Sequence, residues 1–170
     1  MMDKRVQGVV IGVVTDVEDP EGLGRIRVNF PWLSPDNASN WARVAVPLAS
    51  AEKGLFFQPE IGDEALVAFE HGDARFPYIV GYLWNGSNAP PESDQKKRTL
   101  HTISGHKVVF DDTSGSEAIE IEDARGNKIT MNADGITIES AGDVTIKGLN
   151  VNIEAQAQLT AKGTPIHLNP

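Results

Sequence analysis

From Arg25 to Phe30 the chain alternates, with Ile26, Val28 and Phe30 on one side and Arg25, Arg27 and Asn29 on the other. Successive side chains of a strand point to opposite faces, so this pattern predicts a half-buried β-strand. Comparable segments surround it. Residues 6–17 form a β-branched run punctuated by Gly8 and Gly12, and 41–47 (WARVAVP) read as another strand. Leu66 and Ala68 alternate with Val67 and Phe69, His71-Gly72-Asp73 turns the chain, and FPYIVGYLW (76–84) returns. Between the first two strands, DPEGLGR (19–25) is turn chemistry: proline fixes one backbone angle and two glycines permit left-handed ones. Gly81 within a strand predicts a bend or a close backbone approach. About five short strands with glycine-rich turns in under a hundred residues predict a small closed β-barrel, most simply of the OB type.

After residue 100 the pattern changes. Apolar residues come in pairs two apart: Val108/Phe110, Ile119/Ile121, Ile129/Met131, Ile136/Ile138, Val144/Ile146, Val151/Ile153, Leu159/Ala161 and Ile166/Leu168. From Ile129 onward they recur every seven or eight residues, separated by NADG, SAGD, KGLN and AKGTP. The residue inside each pair is usually Thr, Glu or Asn. This is an internal repeat of very short strands. Each strand offers only two inward side chains, and a monomeric solenoid coil takes roughly twenty residues, so this stretch makes only two or three coils, near the lower limit for a stable stack and with its edges open. Three chains around one axis remove the difficulty. Each chain supplies one wall of a triangular prism, the aliphatics meet inside, and Glu120, Glu122, Asp134, Glu139, Asp143 and Glu154 face water. Stability then depends on assembly.

The expected architecture is all-β: an OB-fold barrel followed by an intertwined trimeric triangular β-helix. The domains are 1–88 (barrel), 89–100 (linker) and 101–170 (β-helix). The linker is rich in Pro and Ser and carries Lys96-Lys97-Arg98, which reads as a solvated connection. In 170 residues there is no cysteine, so disulfides and thiolate chemistry play no part. The net charge of -9 argues against a general affinity for nucleic acid or anionic membrane. No apolar run spans a bilayer, and the N-terminal segment reads as a first strand, not a signal peptide.

Candidate chemistry is sparse. Asp63/Glu64 and Asp111/Asp112 are adjacent carboxylates, and neighbours on a strand point to opposite faces, so neither makes an acid–base pair. His71, His101, His106 and His167 show no metal-ligand spacing, and no phosphate loop or nucleophile elbow is present. The expectation is therefore no enzyme, no catalytic, cofactor-binding or metal residues, and no cofactor. A rival reading is an OB-fold module that binds nucleic acid or carbohydrate, with a trimerising tail. Trp32, Trp41, Tyr78 and Trp84 could stack bases. Ten basic against fourteen acidic residues before Leu100 is the wrong balance for a strand-binding groove, and core or subunit packing is the preferred role for these rings.

The segments DPEGLGRIRVNFPWL, NWARVAVPLAS and PEIGDEALVAFEHGDARFPYIVGYLWNG, followed by the repetitive β tail, resemble the spike proteins of contractile injection systems, of the baseplate assembly protein V and VgrG type. The resemblance covers most of the chain. It implies an OB domain that docks to a baseplate hub and inner tube, and a homotrimeric β-helical needle that pierces a target envelope. It also implies a PAAR-type protein on the tip, and a particle built from chains made in the cytoplasm and then released or docked to a membrane. The barrel pattern begins within the first ten residues, which matches a short form whose hub is a separate protein. Residues 88–100 leave no room for an inserted lysozyme domain. Some short spikes of this type end in a His-x-His iron motif; here Leu168 and Asn169 follow a single His167, so an iron site is not carried over.

Overall fold

The structure, a computed structural model, describes residues 5–33 and 38–167. It is almost entirely β, and a single 3-10 turn at Glu70–Gly72 is the one helical element among the described residues. The chain separates into two units, Met1–Pro91 and Glu92–Pro170.

The first unit contains β1 (Val9–Asp16), β2 (Arg27–Asn29), β3 (Arg43–Val44), β4 (Ala49–Ser50), β5 (Lys53–Gly54), β6 (Glu64–Phe69) and β7 (Pro77–Leu83). Five of them form one sheet in the order β2-β1-β6-β7-β3, antiparallel except where β3 runs parallel to β7. The two edges of the sheet meet. Ile26 and Ala42 exchange backbone hydrogen bonds of 3.0 and 2.7 Å, and the Ser39 amide donates to the Val28 carbonyl at 2.7 Å. The sheet therefore curls into the expected small barrel. Val14, Ile26, Val28, Phe30, Ala42, Ala65, Val67, Phe69 and Ile79 fill it. These include the whole apolar set of the RIRVNF alternation. Gly12 lies where β1 crosses β2: a Cβ there would stand 3.1 Å from Val28.

The bend expected at Gly81 is a β-bulge. Leu66 faces Gly81 while Val67 faces Ile79, so Val80 is the extra residue. Nothing lies within 4 Å of where a Gly81 side chain would project, so the position serves the bend and not a close contact. A feature not expected from the sequence is the β4–β5 hairpin, two residues a side, which among the described residues pairs with no other strand.

The second unit is an antiparallel meander: β8 (Lys97–His101), β9 (Lys107–Asp111), β10 (Ala118–Glu122), β11 (Lys128–Asn132) and β12 (Gly135–Glu139), hydrogen-bonded in sequence order. Strand β8 takes up 97–100 of the segment read as linker; Lys97 and Arg98 pair with Asp111 and Asp112 across the ladder instead of dangling in solvent. The turns follow side-chain chemistry. Asp123 accepts hydrogen bonds from the amides of Arg125 and Asn127, with Gly126 at φ +84°. Asn132 accepts from the Asp134 amide in the two-residue β11–β12 turn.

The repeat of paired aliphatics splits in two. Val108/Phe110, Ile119/Ile121, Ile129/Met131 and Ile136/Ile138 each sit on a strand. Val144/Ile146, Val151/Ile153 and Leu159/Ala161 do not: 140–167 contains no strand and its side chains are exposed. Leu168, the partner of Ile166, lies outside the described residues. A strand needs a neighbouring ladder, and the single chain offers none to this stretch. The expected β-helix is thus not present in one chain by itself.

Candidate functional site: an apolar sheet face without a cover

Register in the meander decides which side chains share a face. Leu100, Val108, Ile121, Ile129 and Ile138 stand opposite one another across all five strands. Beside them runs a second row, Arg98, Phe110, Ile119, Met131 and Ile136. Every paired aliphatic of β9–β12 therefore projects from one side. Directly opposed side chains lie about 4.5–5.5 Å apart at Cβ, close enough to form continuous apolar strips.

The other side is polar. His101, Lys107, Glu122, Lys128 and Glu139 form one cross-strand row, and Thr99, Val109, Glu120, Thr130 and Thr137 the next. From Lys107 onward the first row alternates in sign, which is the favourable arrangement for facing charges. Lys128 Nζ donates to Glu120 Oε1 at 2.8 Å, and this pairing raises the lysine's pKa. Hydrogen bonds from Thr113, aided by Lys97, lower the carboxyl of Asp111. Glu120, Glu122 and Glu139 thus share the polar side of the sheet.

The apolar side is not covered. Among the described residues all nine buried hydrophobic side chains belong to the first unit, and the second has none. Ile121, Ile136 and Ile138 are 45%, 72% and 64% exposed. Full burial of such a side chain is worth about 1.5–3 kcal/mol, so the driving force for covering two such rows is large. The apolar side is a surface shaped to be buried.

The residues considered as candidate chemistry are dispersed. Asp63 accepts from the Glu60 amide at 2.9 Å, while Asp111 and Asp112 are tied to Lys97 and Arg98. His106 Nδ1 accepts from the Ala124 amide at 3.3 Å, a turn contact. Among the described residues no group of three or more His, Cys, Asp or Glu is placed to hold a metal. None of Trp32, Trp41, Tyr78 and Trp84 is among the fully buried core residues; Trp41 and Tyr78 are half-buried, Trp32 and Trp84 exposed. Arg27 covers Trp41 at 5.4 Å and Arg43 covers Tyr78 at 5.8 Å, while Trp32 leans on Phe30 at 5.9 Å. No helix among the described residues is long and apolar enough to cross a membrane.

Sequence reasoning found the rows from β9 to β12 but missed their first members on β8. The signal was there: Arg98 and Leu100 are two apart, like every later pair, but the surrounding Lys, Gln and Pro masked it.

Residues 10–84 match the family described as the type VI secretion system/phage-baseplate injector OB domain, and 97–160 match the phage baseplate V C-terminal trimerisation domain. The type VI secretion system spike protein VgrG2a of Pseudomonas aeruginosa is 31% identical over 116 residues, 66% of this chain and 13% of its own length. VgrG1c of the same organism is 28% identical over 141 residues, 74% of this chain and 19% of its own length. The chain thus spans under a fifth of the curated relatives it matches. The uncovered rows fall within the matched trimerisation segment, and the curled sheet within the matched OB segment; the chain belongs to the baseplate spike family of phage tails and type VI secretion systems.

Proposed function

We propose that the protein is a non-catalytic structural subunit, the central spike of a contractile injection baseplate, acting as a homotrimer. Three copies of the meander form the walls of a prism, apolar rows inward and charged rows outward. The stretch 140–167 keeps the strand alternation but finds no ladder in its own chain. Its partners are the same stretch of the other two copies, wound together as a β-helix. The first unit docks to hub and inner-tube proteins, and the tip bears a PAAR-type cap and passes through the target envelope. No nucleic acid and no metal take part.

One observation carries this reading: an apolar row across all five strands and a second across β9–β12, both uncovered. The test is solution mass. Purified protein is expected at three times 18.4 kDa by light scattering. Ile138→Asp would place three carboxylates in a dry interior, where unpaired charge is very costly, and is expected to lose the trimer. A variant that stays fully trimeric overturns the inward assignment.

A further inference from the structure

The first unit carries apolar surface that the meander does not account for. Around the β4–β5 hairpin, Leu48, Leu55, Phe56 and Phe57 are 58%, 47%, 74% and 58% exposed. With Leu23 they line a cleft of about 540 Å³ between the hairpin and the Gly22–Gly24 loop. The frame is fixed. Gly54 takes φ +152°, and a Cβ there would fall 2.4 Å from the Leu48 carbonyl oxygen. The Leu55 amide donates to that same oxygen at 3.2 Å, and Gln58 Nε2 donates to the Val17 carbonyl at 2.9 Å. The Phe56 ring lies 3.1 Å from where a Gly24 Cβ would stand. A two-stranded hairpin is marginal in water by itself, and this one holds two phenylalanines outward.

A second apolar surface lies on the outer side of β1, β6 and β7. Val9 and Ile11 are exposed there; Ile11 stands opposite the half-buried Leu66, and Leu83 opposite Glu64. A threefold ring joins unlike surfaces head to tail, so each copy needs two different patches. The first unit has two. It is also continuous with the trimerising segment at Pro91, which holds three copies at an effective concentration on the order of millimolar.

We propose that the hairpin cleft of one copy receives the outer β1–β6–β7 face of the next, closing the three barrels into a ring that the prism holds together. This rests on the trimer reading above. The test is hydroxyl-radical footprinting of the full chain, with solution mass measured on the same sample and the Ile138→Asp chain as the unassembled reference. A trimer in which Phe56, Phe57, Val9 and Ile11 react several-fold less than in that reference supports the ring. A trimer in which they react equally overturns the ring alone. A mass other than three copies overturns the trimer reading and the ring with it. Disulfide trapping gives a second readout in this cysteine-free chain. Phe57→Cys with Ile11→Cys is expected to form covalent trimers on oxidation, whereas either single variant is not.

Discussion

Asp19 shows how much of the barrel's geometry depends on one side chain. Its carboxylate accepts from the amides of Glu21, Leu23 and Arg25, and from Arg25 Nε and Nη2 at 2.9 and 2.7 Å. Only 3% of the side chain is exposed. The Arg25 guanidinium, with these amides, holds the carboxyl well below the usual carboxylate range. The half-buried Asp73, bonded to Arg75, is lowered to about 2. A depressed folded-state value contributes stability above the unfolded value of about 4, and that contribution is lost as pH falls through the folded value. Asp19→Asn keeps the shape but removes the charge, so it is expected to lower the melting temperature at neutral pH. The gap to the unsubstituted protein should be constant above about pH 4 and shrink below it. Circular-dichroism melts from pH 7 to pH 2 check this. A gap that does not change with pH would mean the carboxylate's charge is not what holds the loop.

At the scale of elements, the meander separates an apolar face, which the proposed assembly buries, from a polar one. Ile129 belongs to an apolar row and Thr130, its neighbour, to the polar side. Ile129→Asp is expected to abolish the trimer. Thr130→Asp should leave the mass unchanged and shift stability by no more than about 0.5 kcal/mol, as surface changes generally do. Light scattering and denaturant melts on the pair distinguish a face-specific effect from a general intolerance of charge. This contrast was legible in the sequence, because alternation records which side of a strand is dry. Three things were not. The β4–β5 strands are two residues long, too short to carry a period. β8 hides its alternation inside a run of charges whose partners, Asp111 and Asp112, lie at the end of the next strand and just past it. The return of 41–44 to lie parallel to β7 is set by barrel closure, a long-range constraint that no local window contains.

For the whole molecule, the division at Glu139 separates two kinds of β-structure. Residues 97–139 make their ladders within one chain, so three preformed walls can meet and part as units. Residues 140–167 have the apolar spacing of strands, with Leu149 fully exposed and Val151 and Ile153 half exposed or more, and pair with no strand of their own chain. If their ladders form only between copies, separating the chains requires breaking backbone pairing along the whole stretch, and the trimer's persistence becomes a matter of rate. A chain ending at Glu139 is then expected to trimerise but to dissociate on dilution and in cold detergent gels, while the full chain migrates as a trimer in both. Hydrogen exchange should show the same boundary: amides around Val144–Ile146 and Val151–Ile153 are protected in the full trimer, although one chain offers them no acceptor. Equal dissociation rates for the two lengths, or rapid exchange beyond Ser140 in the assembled protein, would place all of the holding strength in the walls.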